Sequence, residues 1–414
     1  MTKRRIDLLI LDSNETITAT GSDPKNLGII DDGGVAVHNG RIVEAASSQL
    51  LERKYSASRR ISAKGQIVLP GFIDPHTHLA FQGSREEEFR LRQEGASYIE
   101  IMKGGGGIME TVNKTRAASQ NEILSASKKR LDIALESGTT TLEIKSGYGL
   151  QTTEELRILN IIQQLRKTSP CRIAATFLGA HAIPPYMSQE EYSKIVIEEM
   201  LPAVVQQGLA EFCDVFCEDG AFDTDSSKAI LIAGARKGLR PKIHADQFSD
   251  GGGAKLANDV KAVSADHLTH SNKQELQRMG KTSVIPVLLP ASSHSLLNND
   301  FAPAREMLAA GLPVALGTDH SPSNWVLGLL TIAAIAARGL RMRSCELIRG
   351  ITINASKALG LDHSVGSLSP AKSADIVVLN APTYKWVGYT YGERLVDKVL
   401  IRGKEVVSQG KRVR

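Results

Sequence analysis

The chain is predicted to be an α/β protein: a (β/α)8 TIM-type barrel with a small composite β-sandwich domain built from both chain ends. Three observations carry this. Short β-branched runs alternate with long helical ones through the middle of the chain, both ends instead alternate strand-like runs with turns, and the chemically able residues collect where the central strand-like runs stop.

The first elements are IDLLIL, GGVAV and RIVEA, with Asn39-Gly40 between two apolar runs. That dipeptide marks a two-residue hairpin, because both turn positions need positive φ. From Ile67 the pattern changes. IVLPGFIDPHTH, TTTLEIKSGYG, IAATFLGAH, EFCDVFCE, PKIHAD, AVSADH, SVIPVLLP and VALGTD are eight strand candidates. Between most of them lie amphipathic helix patterns such as NEILSASKKRLDIALESG, TEELRILNIIQQLRK and SQEEYSKIVIEEMLPAVVQQG, the last opened by Ser188 and Glu191 at capping-box spacing. Alternating strand and helix implies a parallel sheet, and eight repeats imply closure into a barrel rather than an open doubly wound sheet. ADIVVL from Ala374 and VDKVLIRGKEVV from Val396 return to the β-rich character of the start. The expected division is 1–66 with 367–414 for the composite domain and 67–366 for the barrel.

Composition excludes several classes. With 414 residues and 42% hydrophobic content the chain can fill a large core, and the net charge of +5 is spread among acidic residues, so neither nucleic acid nor an anionic membrane is an expected partner. The longest apolar stretch, Trp325 to Ala337, is shorter than the ~20 residues of a membrane span and reads as a buried helix. Four cysteines, Cys171, Cys213, Cys217 and Cys345, form no disulfide framework in so long a chain. A cytoplasmic location and a small-molecule substrate are the expectations.

Six of the strand candidates end in residues that bind metals, move protons or hold a substrate: His76 and His78, Tyr148, His181, His244, His267, and Asp319. A single buried histidine is more often a hydrogen-bonded core residue than a ligand. In a barrel, however, the carboxyl ends of all strands surround one mouth, so these residues would meet there. His76 and His78, two apart in an extended run, project to the same side. With His244 and Asp319 they make three nitrogens and one oxygen, a suitable set for a zinc-type ion that activates water for hydrolysis. HExxH, GxxxxGK[ST] and the HxE with PCxxC pair of nucleobase deaminases are missing.

PGFIDPHTHL, KIHAD, SADH and GTD resemble the amidohydrolase superfamily over the whole chain. HTHLAFQGSREEEF, ASYIEIMKGGGGI, EIKSGYGL, TFLGAHA and HADQFSDGGGA are similar, more narrowly, to the imidazolonepropionase family. That resemblance implies hydrolytic opening of the cyclic amide of 4-imidazolone-5-propanoate to N-formimidoyl-L-glutamate. It implies one zinc or iron ion per subunit held by His76, His78, His244 and Asp319, and a homodimer. By the same resemblance Arg85 grips the substrate carboxylate, Tyr98, Tyr148, His181 and Gln247 contact substrate, and Asp319 or His267 transfers the proton. Where the family usually reads DFNPG followed by Ser or Thr, this chain reads Asp319-His320-Ser321-Pro322-Ser323-Asn324. Ser321, Ser323 and Asn324 are therefore expected substrate contacts of altered character, with Asn324 donating in place of a hydroxyl. The competing expectations are a paralogue that opens another cyclic amide or deaminates a heterocycle, and a catalytically silent scaffold.

Overall fold

The structure is a computed structural model and describes residues 3–21, 23, 25–96, 100–101, 105–297 and 300–413. Eight parallel strands pair in chain order: Phe72–Asp74, Thr139–Lys145, Arg172–Ala180, Phe212–Cys217, Arg240–Ala245, Ser264–His267, Ile285–Leu288 and Ala315–Leu316. The first and last strands are too short to pair with each other along their own length. The seam is closed just beyond them, where Asp319 N donates to His76 O at 3.0 Å and His78 N donates to His320 O at 2.9 Å. A parallel bridge between Thr77 and His320 lies in the same seam.

Alternation along each strand separates two environments. Leu142 and Ile144, Cys213 and Val215, and Ile243 and Ala245 join the apolar layer shared with the surrounding helices. Their neighbours Glu143, Lys145, Asp214, Lys242 and His244 meet one another inside the barrel. The helices form where the sequence caps them. Gln120–Glu136 and Gln189–Ile195 each begin with a complete capping box, Ser119 with Glu122 and Ser188 with Glu191. The second continues through a π-turn, Val196–Met200, into Leu201–Gln206.

The chain ends build one nine-stranded sheet, in which Ile67–Pro70 joins the two halves by pairing parallel with Arg4–Ile17 and antiparallel with Ile376–Leu379. Asn39 and Gly40 have φ of 51° and 70°, the left-handed pair the hairpin requires.

Two sequence expectations shift. The run IVLPGFID is not one barrel strand but two strands in different sheets, so residues 67–70, expected in the barrel, lie in the composite sheet. Gly71 is the break: a Cβ there would stand 2.3 Å from Thr140 Oγ1, so only glycine lets the chain cross this close to the second barrel strand. The apolar stretch from Trp325 forms a helix only over Leu329–Gly339, and Trp325 is 53% exposed. Its indole instead packs edge-on against Phe81 and His320.

Candidate metal centre and substrate pocket

His76 and His78 follow the first barrel strand, His244 is the last residue but one of the fifth, and Asp319 follows the eighth. His78 Nε2 lies 3.3 Å from both His76 Nε2 and His244 Nε2, and Asp319 Oδ1 lies 3.5 Å from the Nε2 atoms of His76 and His78. A tetrahedral ion with bonds of about 2.1 Å sets its ligand atoms roughly 3.4 Å apart, so these separations fit a metal ion at their centre. The protonation pattern agrees. His76 Nδ1 is 2.6 Å from Asp266 Oδ2, a carboxylate that only accepts, which leaves the Nε2 lone pair facing the site. His244 Nδ1 stands 3.1 Å from Asp214 Oδ2, bent away from a straight hydrogen bond. Burial and neighbouring cationic groups hold His76 and His78 well below the ordinary imidazole range, so both are neutral as ligands must be. Burial raises the Asp319 carboxyl to about 6, with His244, Ser292, Lys145 and Arg85 acting against it.

One pocket opens over these atoms, and Arg85, Tyr148, His181, Gln247, His267, Ser321, Ser323 and Asn324 all line it. The structure thus brings together every expected site residue within its described range. Tyr98 lies outside the described residues. Arg85 is buried with its Nη1 3.8 Å from Glu88, and no group among the described residues pairs with its Nε. The Tyr148 phenol, pushed up by burial, stays protonated, with the Arg85 guanidinium acting against the shift. His181 Nδ1 sits 3.0 Å from Gly147 O, which can only accept, so Nε2 is left as an acceptor. Burial lowers this imidazole to about 3.

His267 and Asp319 share a local peculiarity. Their φ values are 74° and 52°, in the left-handed region that costs a non-glycine residue on the order of 1–3 kcal/mol. On strict alternation with Asp266, which faces the barrel interior, His267 would turn outward. The positive φ returns it to the mouth, with ring centres 5.4 Å from His244 and 5.6 Å from His76.

Asn324 departs from expectation. Its Nδ2 donates to Thr318 O at 2.8 Å and to Asp319 O at 3.3 Å, and its Oδ1 accepts from Ser295 at 3.1 Å. It braces the loop that carries Asp319 and has no donor left for a ligand. Ser321 and Ser323, 3.2 Å apart at their hydroxyls, are the polar groups this loop offers the pocket.

Sequence reasoning missed Ser292, which lines the pocket with Asp319 and receives Gln247 Nε2 at 3.4 Å, and Arg92, which lines the pocket about two helical turns on from Arg85. It also missed the buried charges beneath the metal centre. Glu143, Lys145, Asp214, Lys242 and Asp266 were visible as period-2 polar positions within otherwise apolar strands.

The histidines carry a stability consequence. An unfolded imidazole protonates near pH 6.5, whereas His181 and His320 in the fold do so only near pH 3, because burial penalises the cation. Between those values the unfolded chain binds more protons. Stability is therefore fully present above about 6.5 and is lost as pH falls toward 3. His76, His78 and His267 act in the same sense. Asp74 and Asp319, raised to about 7 and about 6, act oppositely, as do the buried Glu88, Glu155, Asp246 and Asp266, which burial also raises, so a loss on acidification requires the five imidazoles to outweigh them. The thermal midpoint of chelator-treated protein is expected to fall between pH 7 and pH 5. A midpoint that rises over this interval contradicts the assignment.

The barrel with its cluster of histidines at the strand ends marks a hydrolase of the amidohydrolase class, and the amidohydrolase family model matches residues 224–406. Over nearly its whole length the chain is 43% identical to the imidazolonepropionase of Geobacillus kaustophilus, covering 98% of this chain and 99% of that one. It is 42% identical to that of Symbiobacterium thermophilum, covering 99% of both. The chain belongs to the imidazolonepropionase family. Among solved structures, a zinc-bound adenosine deaminase from Xanthomonas campestris superposes with a TM-score of 0.76 at 18% identity, over 100% of this chain and 95% of that one. A zinc complex of atrazine chlorohydrolase from Arthrobacter aurescens superposes with 0.75, also at 18% identity, over 98% and 96%. These two share the fold.

Proposed function

We propose that the protein hydrolyses the cyclic amide of 4-imidazolone-5-propanoate, opening the ring to N-formimidoyl-L-glutamate, with one zinc or iron ion per subunit. The observation that carries this reading is the pairing, in one pocket, of three mutually close imidazoles and the Asp319 carboxylate, 3.5 Å from two of them, with a buried arginine whose Nε has no partner among the described residues. An ion held by His76, His78, His244 and Asp319 supplies Lewis acidity that polarises the ring carbonyl and acidifies water.

The chain's own groups do the rest. Arg85 and Tyr148 bind the propionate carboxylate, and the guanidinium fork suits that planar anion. His181, neutral with Nε2 free to accept, takes a ring N–H. Gln247, an amide without a titratable proton, orients the ring by hydrogen bonding. Asp319 removes a proton from the attacking water as its oxygen bonds to the carbonyl carbon. The same carboxyl returns a proton to the ring nitrogen as the carbon–nitrogen bond breaks. His267, held over the site by its positive φ, donates to the carbonyl oxygen as charge collects there. Ser321 and Ser323 complete the polar wall. The reading includes a homodimer, carried from the family resemblance. It also includes a reducing cytoplasmic setting, supported by the free thiols of all four cysteines. No helix among the described residues is long and apolar enough to cross a membrane.

The test is the ultraviolet decay of imidazolonepropanoate on addition of protein, with and without chelator. Decay that chelation abolishes and added zinc or iron restores is expected. No decay with metal-loaded protein overturns the substrate, and full decay after metal stripping overturns the role of the ion.

A further inference from the structure

Beneath the metal centre the barrel holds five fully buried ionisable side chains, Glu143, Lys145, Asp214, Lys242 and Asp266. Such a cluster is costly to bury, and a hydrophobic filling would serve the core at least as well. Its geometry gives it a purpose. Lys145 Nζ lies 2.7 Å from Asp214 Oδ2, 2.8 Å from Glu143 Oε2 and 3.5 Å from Asp266 Oδ2. Asp266 Oδ2 is the atom that faces His76 Nδ1 at 2.6 Å, and Asp214 Oδ2 is the atom that faces His244 Nδ1 at 3.1 Å. Each oxygen is therefore shared between one ammonium and one imidazole. Lys242 extends the same frame, 3.3 Å from Glu143 Oε1 and 3.2 Å from the carbonyl of Pro75, the residue before His76.

We infer that Lys145 is a positioning residue for the metal centre: a single ammonium, anchored across the barrel, sets the two carboxylates that orient His76 and His244. Three strands are coupled through it. Lys145 ends the second strand, Asp214 lies in the fourth and Asp266 in the sixth, so the relative placement of two ligands on the first and fifth strands is tied to one atom. Burial opposes the ammonium, yet Asp214, Glu143 and Asp266 together keep it protonated. Without it, three carboxylates would face one another in the barrel interior, and the Oδ2 atoms that face His76 and His244 would lose their shared cation, leaving Ser264 Oγ on Asp266 Oδ1 and Val215 N on Asp214 Oδ1 to hold the two side chains.

This inference rests on the metal-centre reading above, and the experiment separates the two. Wild type and Lys145→Met are stripped of metal and titrated with Zn2+ against a chromophoric chelator, and with Co2+ followed by visible absorption. Folded Lys145→Met is expected to bind Zn2+ about 10–100-fold more weakly, with altered Co2+ ligand-field bands. Asp266→Asn, which keeps the lysine, is expected to lose a similar factor. The double variant should lose clearly less than the two effects combined, because both act through one contact. If Lys145→Met does not fold, Lys145→Gln is put through the same titrations. A lowered thermal midpoint with unchanged Zn2+ affinity and unchanged Co2+ bands overturns the inference and leaves Lys145 a structural residue only. Wild-type protein that binds neither ion overturns the metal-centre reading itself.

Discussion

Asp319→Asn is expected to lower the ring-opening rate by about 10³-fold or more, on the scale of general-base removal compounded by loss of a metal ligand. The amide has nearly the shape of the carboxyl, so the loop should persist. Asn324 would still brace it through Thr318 O, and Asp319 N would still close the barrel seam on His76 O. What disappears is a negative oxygen 3.5 Å from two imidazole nitrogens and the group that accepts the water's proton. Single-turnover rates on metal-saturated protein check this, with metal content measured alongside. An Asn variant that keeps a full complement of ion and retains more than a tenth of the wild-type rate would remove Asp319 from the proton transfer.

Arg85→Met is expected to act on the other half of the problem, raising KM roughly 100-fold while kcat changes by less than about tenfold. A charged, bidentate hydrogen bond contributes about 3 kcal/mol, and about 1.4 kcal/mol corresponds to a factor of ten. The propionate lies away from the bond that breaks, so its anchor affects ground and transition states alike. Met keeps much of the side-chain volume in a position that is 7% exposed. Steady-state kinetics decide between outcomes. An unchanged KM would place the carboxylate elsewhere in the pocket, and Arg92, which also lines it, would be the next residue to substitute.

Both predictions concern residues legible in the sequence, and the reason is physical. His76, His78, His244 and Asp319 stand at the ends of strand-like runs, and a parallel barrel brings all such ends to one mouth whatever the detailed register. The capping box at Ser188 and the Asn39-Gly40 turn were equally readable, since each depends on bonds spanning only a few residues. Asn324 was misjudged because its role depends on which neighbours its amide meets. The helix after Trp325 was overextended because apolar composition alone does not say where a chain turns.

What the amino-acid sequence determined by itself, then, was the alternation of elements, the closed barrel they imply, and the donor types gathered at its mouth. Tertiary structure alone decided the rest: the break at Gly71 between two sheets, the seam closed by Thr77 and His320, the return of His267 through positive φ, and the ammonium of Lys145 among three carboxylates. Hydrophobic period and capping are local properties and survive in one dimension. Contacts such as Lys145 to Asp214 or His76 to Asp266 join residues far apart in the chain, and their geometry exists only once eight strands have taken a common register.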